Sequence, residues 1–355
     1  MKHYFIINPV SGKNIEFDVV KDYILPACEK TGVDYEIYET KAHGDGTRFV
    51  KEKAAEANGE PVRFYSVGGD GTLYEVLNGA IGFPNAEITV VPKGSGNDYI
   101  RLYGDKELFR NVEGLINGTP IKVDGLKITD AEKTEYAINQ ASMGFDAEAC
   151  AKQAAMKKIP GAIGHATYLL AGLYCMITKV NNHYQCIIDG KEMKGPFVFT
   201  VACVSRWYGS GIKVAPFANP QDGLLDCVVF RRVTSWPVVF KIGMNDWQVK
   251  GTHYKRSYCE YIRGKKMELH SKKPVQINVD GECRATTDVT FEIVPGAFNF
   301  VIPEKSTFFD DVKSGKISFE PDLGPAHKEP LHTILNTLKP FDLIVNKGIG
   351  KLVHK

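Results

Sequence analysis

No Cys-x-x-Cys pair occurs anywhere in this chain of 355 residues. Its eight cysteines (Cys28, Cys150, Cys175, Cys186, Cys203, Cys227, Cys259 and Cys283) stand singly, which argues against a zinc ribbon or a disulfide framework. Scattered thiols of this kind fit a reducing compartment, so a cytoplasmic protein is expected. Charge of one sign is also lacking: the formal net charge is +2, and no nucleic-acid partner is expected. There is no internal repeat and no low-complexity tract. The chain runs from Met1 into an apolar stretch without a basic n-region or a small-residue cleavage site, so no signal peptide is expected. One long uncharged run, residues 159–178, is just long enough to cross a bilayer. Pro160, Gly161, Gly164, Thr167 and Gly172 dilute it, and a buried or cleft-lining helix is expected instead of a transmembrane span.

Two familiar phosphate motifs are missing as well. Gly12-Lys13 is followed by Asn14 and has no upstream glycine, so it is not a G-x-x-x-x-G-K-[ST] loop. Gly94-Ser95-Gly96 continues as Asn97-Asp98-Tyr99, which breaks G-x-G-x-x-G. P-loop and dinucleotide folds lose most of their support.

What is present centres on Val67-Gly68-Gly69-Asp70-Gly71-Thr72. Residues 62–67 read as a buried strand, and Leu73, Val76, Leu77 and Ala80 fall on one face of a helix that follows. Thr72 with Glu75 has the spacing of a capping box, which would start that helix directly after the glycines. Glycines at a helix N-terminus let backbone N–H groups gather around an anion. Asp70 in their midst makes sense if a metal or a proton transfer is also involved. Alone, the stretch is equally open to a tight strand-to-helix turn.

The first hundred residues alternate strands with helices, and four loops at strand ends carry Gly, Ser, Thr or Asn: after Ile7, Tyr38, Val67 and Val91. That pattern predicts a three-layer α/β domain with a mainly parallel sheet, whose ligands bind beyond the carboxyl ends of the strands. From about Ile121 short β-like runs recur at residues 121–128, 136–141, 186–188, 197–204, 225–230, 268–269, 275–279 and 289–293. They predict a second, mostly antiparallel domain.

Three motifs in this order and spacing resemble one family: Asn8-Pro9-x-Ser11-Gly12-Lys13, Gly68-Gly69-Asp70-Gly71-Thr72 and Pro92-x-Gly94-Ser95-Gly96-Asn97-Asp98. They look like the catalytic domain of diacylglycerol kinases and the related sphingosine and ceramide kinases. The likeness continues through Asp124, Asn139, Gly144-Phe145-Asp146-Ala147, Pro216, Asp222-Gly223-Leu224-Leu225-Asp226 and Val279-Asp280-Gly281-Glu282, over roughly residues 3–302. The glycine motif alone is shared with NAD kinases and phosphofructokinases; the full set points to the lipid-kinase branch. The resemblance implies a nucleotide-binding α/β domain of that type over residues 1–122 and a β-sandwich lipid-acceptor domain over 123–302. A C-terminal segment, 303–355, would begin by packing back on the first domain.

It further implies ATP-dependent phosphorylation of a lipid hydroxyl at the membrane surface, with Mg²⁺ as cofactor. Diacylglycerol, giving phosphatidic acid, is the leading acceptor; a sphingoid base or other lipid is next, and NAD is the less favoured alternative. Asn8, Pro9, Ser11, Gly12, Lys13, Thr40, Gly68, Gly69, Asp70, Gly71, Thr72, Ser95 and Asn97 would hold ATP, with Asp70 near the transferred phosphate. Glu282 matches the family's general base, although Asp-Gly-Glu between strands is also ordinary turn chemistry. Asp222, with the carbonyls of Asn219 and Leu224, matches a Mg²⁺ site linked through water to Asp70 and Asp124. Peripheral membrane association is expected, with Tyr168, Leu169, Leu173, Tyr174 and Ile177 lining an acyl groove or meeting the interface. Ile344, Val345, Ile349, Leu352 and Val353, set among Lys347, Lys351 and Lys355, offer a second contact. Core packing and a docked terminus remain equally open for these two stretches, and a homodimer remains open too. Two departures matter: Ser95 stands where the family has threonine, and Gly209-Ser210-Gly211 replaces three glycines, which bears on lipid preference.

Overall fold

Four strands, three of them apolar and buried and each followed by a turn or helix, form the first half of the fold. The computed structural model describes residues 1–11, 18–94, 96–156, 182–209, 211–231 and 251–320. Strands β1 (Lys2–Ile7), β2 (Asp34–Glu39), β3 (Val62–Gly68) and β4 (Ala86–Pro92) lie parallel in the order β2-β1-β3-β4. Helices α1 (Leu25–Thr31), α2 (Asp45–Glu56) and α3 (Asp70–Ala80) connect them. Every residue of β3 is buried, as expected of a strand covered on both faces. Register aligns the strand ends: Ile7 lies opposite both Glu39 and Val67, and Gly68 lies opposite Pro92. The chain order reverses between β1 and β3, the crevice where open α/β sheets bind ligands. Short helices α4 (Lys106–Arg110) and α5 (Val112–Ile116) lead out of this half.

The second half is antiparallel: β5 (Thr119–Asp130), β6 (Thr134–Ala137), β7 (Gln140–Gly144), β8 (Gln185–Ile188), β9 (Lys191–Lys194), β10 (Phe197–Cys203), β11 (Leu225–Arg231), β12 (Cys259–Gly264), β13 (Lys266–Val279) and β14 (Glu282–Ile302). Helix α6 (Phe145–Met156) follows β7. The fold is thus an α/β domain with a parallel sheet joined to an antiparallel, sandwich-like domain. β14 is the seam between them. Its first part pairs with β13, and near its end Asn299 and Phe300 pair parallel with β4. Phe298, Phe300 and Ile302, with Phe308 from a short helix (Phe308–Lys313), enter the core of the α/β half. Tyr74 makes the opposite crossing: it leaves α3 and packs among Leu126, Met143 and Phe291 of the antiparallel core.

The sequence reading of residues 268–269 and 275–279 as separate strands is corrected. They are parts of β13, whose register shifts between His270 and Val275 across the polar Ser-Lys-Lys-Pro run that masks the alternation. Strands β9 and β12 went unread. Among the described residues no helix is long and apolar enough to cross a membrane. Residues 159–178 and 321–355, with both proposed membrane contacts, lie outside the described residues, as do Gly12, Lys13, Ser95 and Ser210.

Candidate active site

The four strand-end loops are tied to one another by hydrogen bonds. Thr40 donates its N–H to the Ile7 carbonyl at 2.9 Å, and its hydroxyl donates to the same oxygen at 3.3 Å. Asn8 donates its N–H to Val67 O at 3.2 Å, while its side-chain oxygen accepts the Val10 N–H at 3.1 Å. With Ser11 N–H donating to Asn8 O at 3.1 Å, the turn around Pro9 is closed. The Gly68 carbonyl accepts from Lys93 N–H and Gly94 N–H, both at 3.0 Å, and from the Asn97 amide at 3.1 Å.

Asp70 completes the chain. Its carboxylate accepts the N–H of Asn97 at 3.0 Å and of Asp98 at 3.2 Å, so the first residue of α3 grips the loop after β4. Glycine is required opposite: a Cβ on Gly96 would lie 2.0 Å from Asp70 Oδ2, and one on Gly94 would lie 2.6 Å from Gly69 Cα. Burial pushes the Asp70 carboxyl above the usual carboxylate range, the nearby Asp98 adds to the rise, and the two N–H donors oppose it. Asp98 is itself paired with Arg101 at 2.8 Å.

The expected Thr72–Glu75 capping box is not formed. Gly69 is the extended residue before the helix, so α3 begins three residues earlier than a Thr72 cap would start it, at Asp70, and Thr72 lies inside its first turn. The Glu75 carboxylate instead accepts the N–H groups of Gly44 and Gly46, both at 2.9 Å, which fixes the loop that follows Thr40. Thr72 Oγ1 is left buried without a partner, as is Asn97 Oδ1. A buried hydroxyl left open at the start of a helix, behind two glycines, suits a phosphate oxygen as acceptor.

Glu282 arrives from the other half of the molecule. Asp280 and Gly281, at φ 47° and 102°, form the two-residue turn between β13 and β14, with Val279 paired to Glu282. Glu282 is therefore the first strand residue beyond the turn, and its Oε1 lies 3.7 Å from where a Cβ on Gly71 would stand. The sequence reading assigned no role to Asp280. Its buried carboxylate accepts from the N–H groups of Ile138 (2.9 Å), Asn139 (3.3 Å) and Gln140 (2.8 Å), anchoring the turn that presents Glu282. Burial pushes this carboxyl to about 7 against those three donors.

Asp124 and Asp222 form a second cluster. One Asp124 oxygen accepts Gly223 N–H at 2.7 Å and the other accepts Gly296 N–H at 2.8 Å, while Asp124 N–H donates to Pro220 O at 2.7 Å. Asp222 accepts Leu224 N–H at 3.0 Å, and Asn219 Oδ1 accepts Gln221 N–H at 3.1 Å. Burial raises both carboxyls. Among the described residues no hydrogen bond joins this cluster directly to Asp70, and no grouping of three or more His, Cys, Asp or Glu side chains could hold a metal ion. A cation on the Asn219–Leu224 turn would therefore lean on backbone carbonyls beside Asp222, an all-oxygen set that fits Mg²⁺.

Two family models match this chain in succession: the diacylglycerol kinase catalytic domain over residues 2–128 and the YegS C-terminal NAD kinase beta sandwich-like domain over residues 139–302. The chain is 25% identical over 310 residues to the diacylglycerol kinase of Bacillus subtilis (strain 168), covering 86% of this chain and 98% of that one. It is 27% identical over 280 residues to the diacylglycerol kinase of Staphylococcus carnosus (strain TM300), covering 78% and 87%. In fold it is similar to the crystal structure of a diacylglycerol kinase from Bacillus anthracis str. Sterne, with a TM-score of 0.62 at 17% identity over 85% of this chain and 96% of that one. With both domains accounted for in order, the chain belongs to the diacylglycerol kinase catalytic domain family, a family of lipid kinases.

Proposed function

We propose that this protein transfers the γ-phosphate of ATP to the hydroxyl of a membrane lipid, with diacylglycerol as the first candidate acceptor and phosphatidic acid as product. One observation carries the reading: the Glu282 carboxylate, from the antiparallel half, meets Gly71 in the glycine turn of the α/β half. Phosphoryl transfer asks for phosphate donors on one side and a carboxylate oriented toward the acceptor hydroxyl on the other. Here Thr72, the Gly68–Gly71 backbone and the loops at Asn8, Thr40 and Asn97 hold the nucleotide phosphates. Glu282 takes the proton from the lipid hydroxyl as the hydroxyl oxygen attacks the γ-phosphorus, and the bond from that phosphorus to the β–γ bridging oxygen breaks to release ADP. Asp70 keeps the loop after β4 closed against the phosphate site. Mg²⁺, when bound, would neutralise charge on the phosphates or hold the Asn219–Leu224 turn, with Asp222 as side-chain ligand and Asp124 fixing the turn. In this reading residues 1–122 bind nucleotide, 123–302 bind the lipid, and the protein works at the cytoplasmic face of a membrane.

The test is transfer of label from γ-labelled ATP to a panel of lipids in mixed micelles with Mg²⁺, with NAD as control. Labelled phosphatidic acid is the expected product. Transfer to NAD alone, or to none of the acceptors, would remove the lipid-kinase reading.

A further inference from the structure

Behind Glu282 lies a set of charged and polar side chains that neither nucleotide nor acceptor would touch. On α3, Tyr74 stands one turn after Gly71; on β14, Arg284 stands two residues after Glu282, hence on the same face of the strand. Glu135 of β6 joins the two, accepting from the Tyr74 hydroxyl and from Arg284 Nη1. Arg284 Nε donates to Asp130 at 2.6 Å, and Lys133 adds an ion pair to Glu135 at 2.7 Å. The Glu135 and Asp130 side chains are 4% and 1% exposed, so solvent and salt screen this pairing little. Asn78, one turn further along α3, exchanges two hydrogen bonds with the Tyr136 backbone at 2.8 and 2.9 Å.

We propose that Tyr74, Glu135 and Arg284 act as a positioning relay that holds Glu282 in register with the glycine turn of α3. The inference rests on the phosphotransfer reading above. Its structural basis is a second cross-link running parallel to the Gly71–Glu282 contact. Helix α3 begins at the nucleotide site, yet its Tyr74 ring belongs to the core of the antiparallel half. Movement of one half against the other must therefore disturb Tyr74 or break its bond to Glu135. A reacting carboxylate displaced by about 1 Å loses up to ~10²-fold in rate. The relay offers a reason for a buried ionic network at this place, where packing alone would be met by apolar residues. Positioning, not stability alone, is the claim.

Tyr74→Phe is the mildest cut, because it removes the hydroxyl and leaves the Arg284–Glu135 pair intact. In the full-length protein kcat should fall about 10-fold, with the KM for ATP within about twofold of wild type. Tyr74→Phe with Glu135→Gln should be no worse than the more damaged single variant, since both cut one relay. Arg284→Lys, which keeps the charge, should retain more activity than Arg284→Met. Amide hydrogen exchange provides a readout that needs no acceptor: Tyr74→Phe should speed exchange several-fold in peptides spanning Asn278 to Arg284 and leave β1 and β3 unchanged. Unchanged exchange there would overturn the relay even if the wild type proved inactive on every lipid, a result that would sink only the functional reading. Faster exchange with unaltered kcat would overturn it too.

Discussion

The Asp70 carboxylate accepts the Asn97 backbone N–H at 3.0 Å, and through this bond the turn after β3 holds the loop after β4. On the proposed function, the bond explains why a carboxylate occupies the middle of the glycine turn. It faces the neighbouring loop's N–H groups, so the glycine backbone and Thr72 would be left to an anion.

Gly96 tests that arrangement. An alanine methyl would overlap Asp70 Oδ2, since the Cβ position is 2.0 Å away. Gly96→Ala should force Asp70 off its two donors at a cost of about 1–3 kcal/mol, on the order of 10-fold or more in ATP affinity. Isothermal titration with a non-hydrolysable ATP analogue measures it; unchanged affinity would show that the loop is not gripped by Asp70.

Asp280 predicts a pH dependence of stability. Its carboxyl is pushed to about 7 in the fold from an ordinary 3.8, so between those values the folded state holds a proton that the unfolded chain has released. Stability from this group is full at low pH and declines as pH rises toward 7, by at most ~4 kcal/mol at 1.36 kcal/mol per unit. Buried Asp146 and Asp226, each raised to about 6, act in the same direction. His3, lowered to about 4, acts oppositely: it gains stability as pH rises to 6.5 and is flat above. Across pH 6.5–8 the urea midpoint of wild type should therefore still fall, and Asp280→Asn should flatten that fall while lowering the midpoint throughout. Equal slopes in the two proteins would contradict this.

The Asn219–Leu224 turn gives a metal prediction independent of activity. Millimolar Mg²⁺ should raise the wild-type Tm by about 2–4 °C through preferential binding to the folded state, and Asp222→Ala should abolish the response. A Tm shift that survives in Asp222→Ala would place the cation elsewhere.

Much of this site was legible in the chain because its parts are local. Gly68–Thr72, Asn8–Ser11 and the loop at Gly94–Asn97 each lie at the end of an apolar run, and parallel register then aligns them without further information. The Asp280–Gly281 turn was legible for the same reason, as a pair of turn residues between strands. The capping box misled because its i, i+3 spacing is shared by any Thr and Glu in a first turn. Which backbone N–H Glu75 reaches depends on Gly44 and Gly46, about 30 residues earlier and on another strand's loop. Tyr74, Glu135 and Arg284 escaped notice because they are separated by 61 and 149 residues and none sits in a motif. The length of β13 and β14 was hidden by polar residues at a register shift, where alternation fails although pairing continues.

The central claim is that Glu282 acts as the base across the cleft from an intact nucleotide site. Glu282→Gln keeps the size and removes the proton acceptor, so single-turnover transfer to diacylglycerol should drop by ~10²–10⁴-fold. Binding of the ATP analogue should stay within about twofold of wild type, because Glu282 stands on β14 and belongs to none of the four loops. Retained transfer in Glu282→Gln, or loss of transfer together with nucleotide binding, would contradict the account.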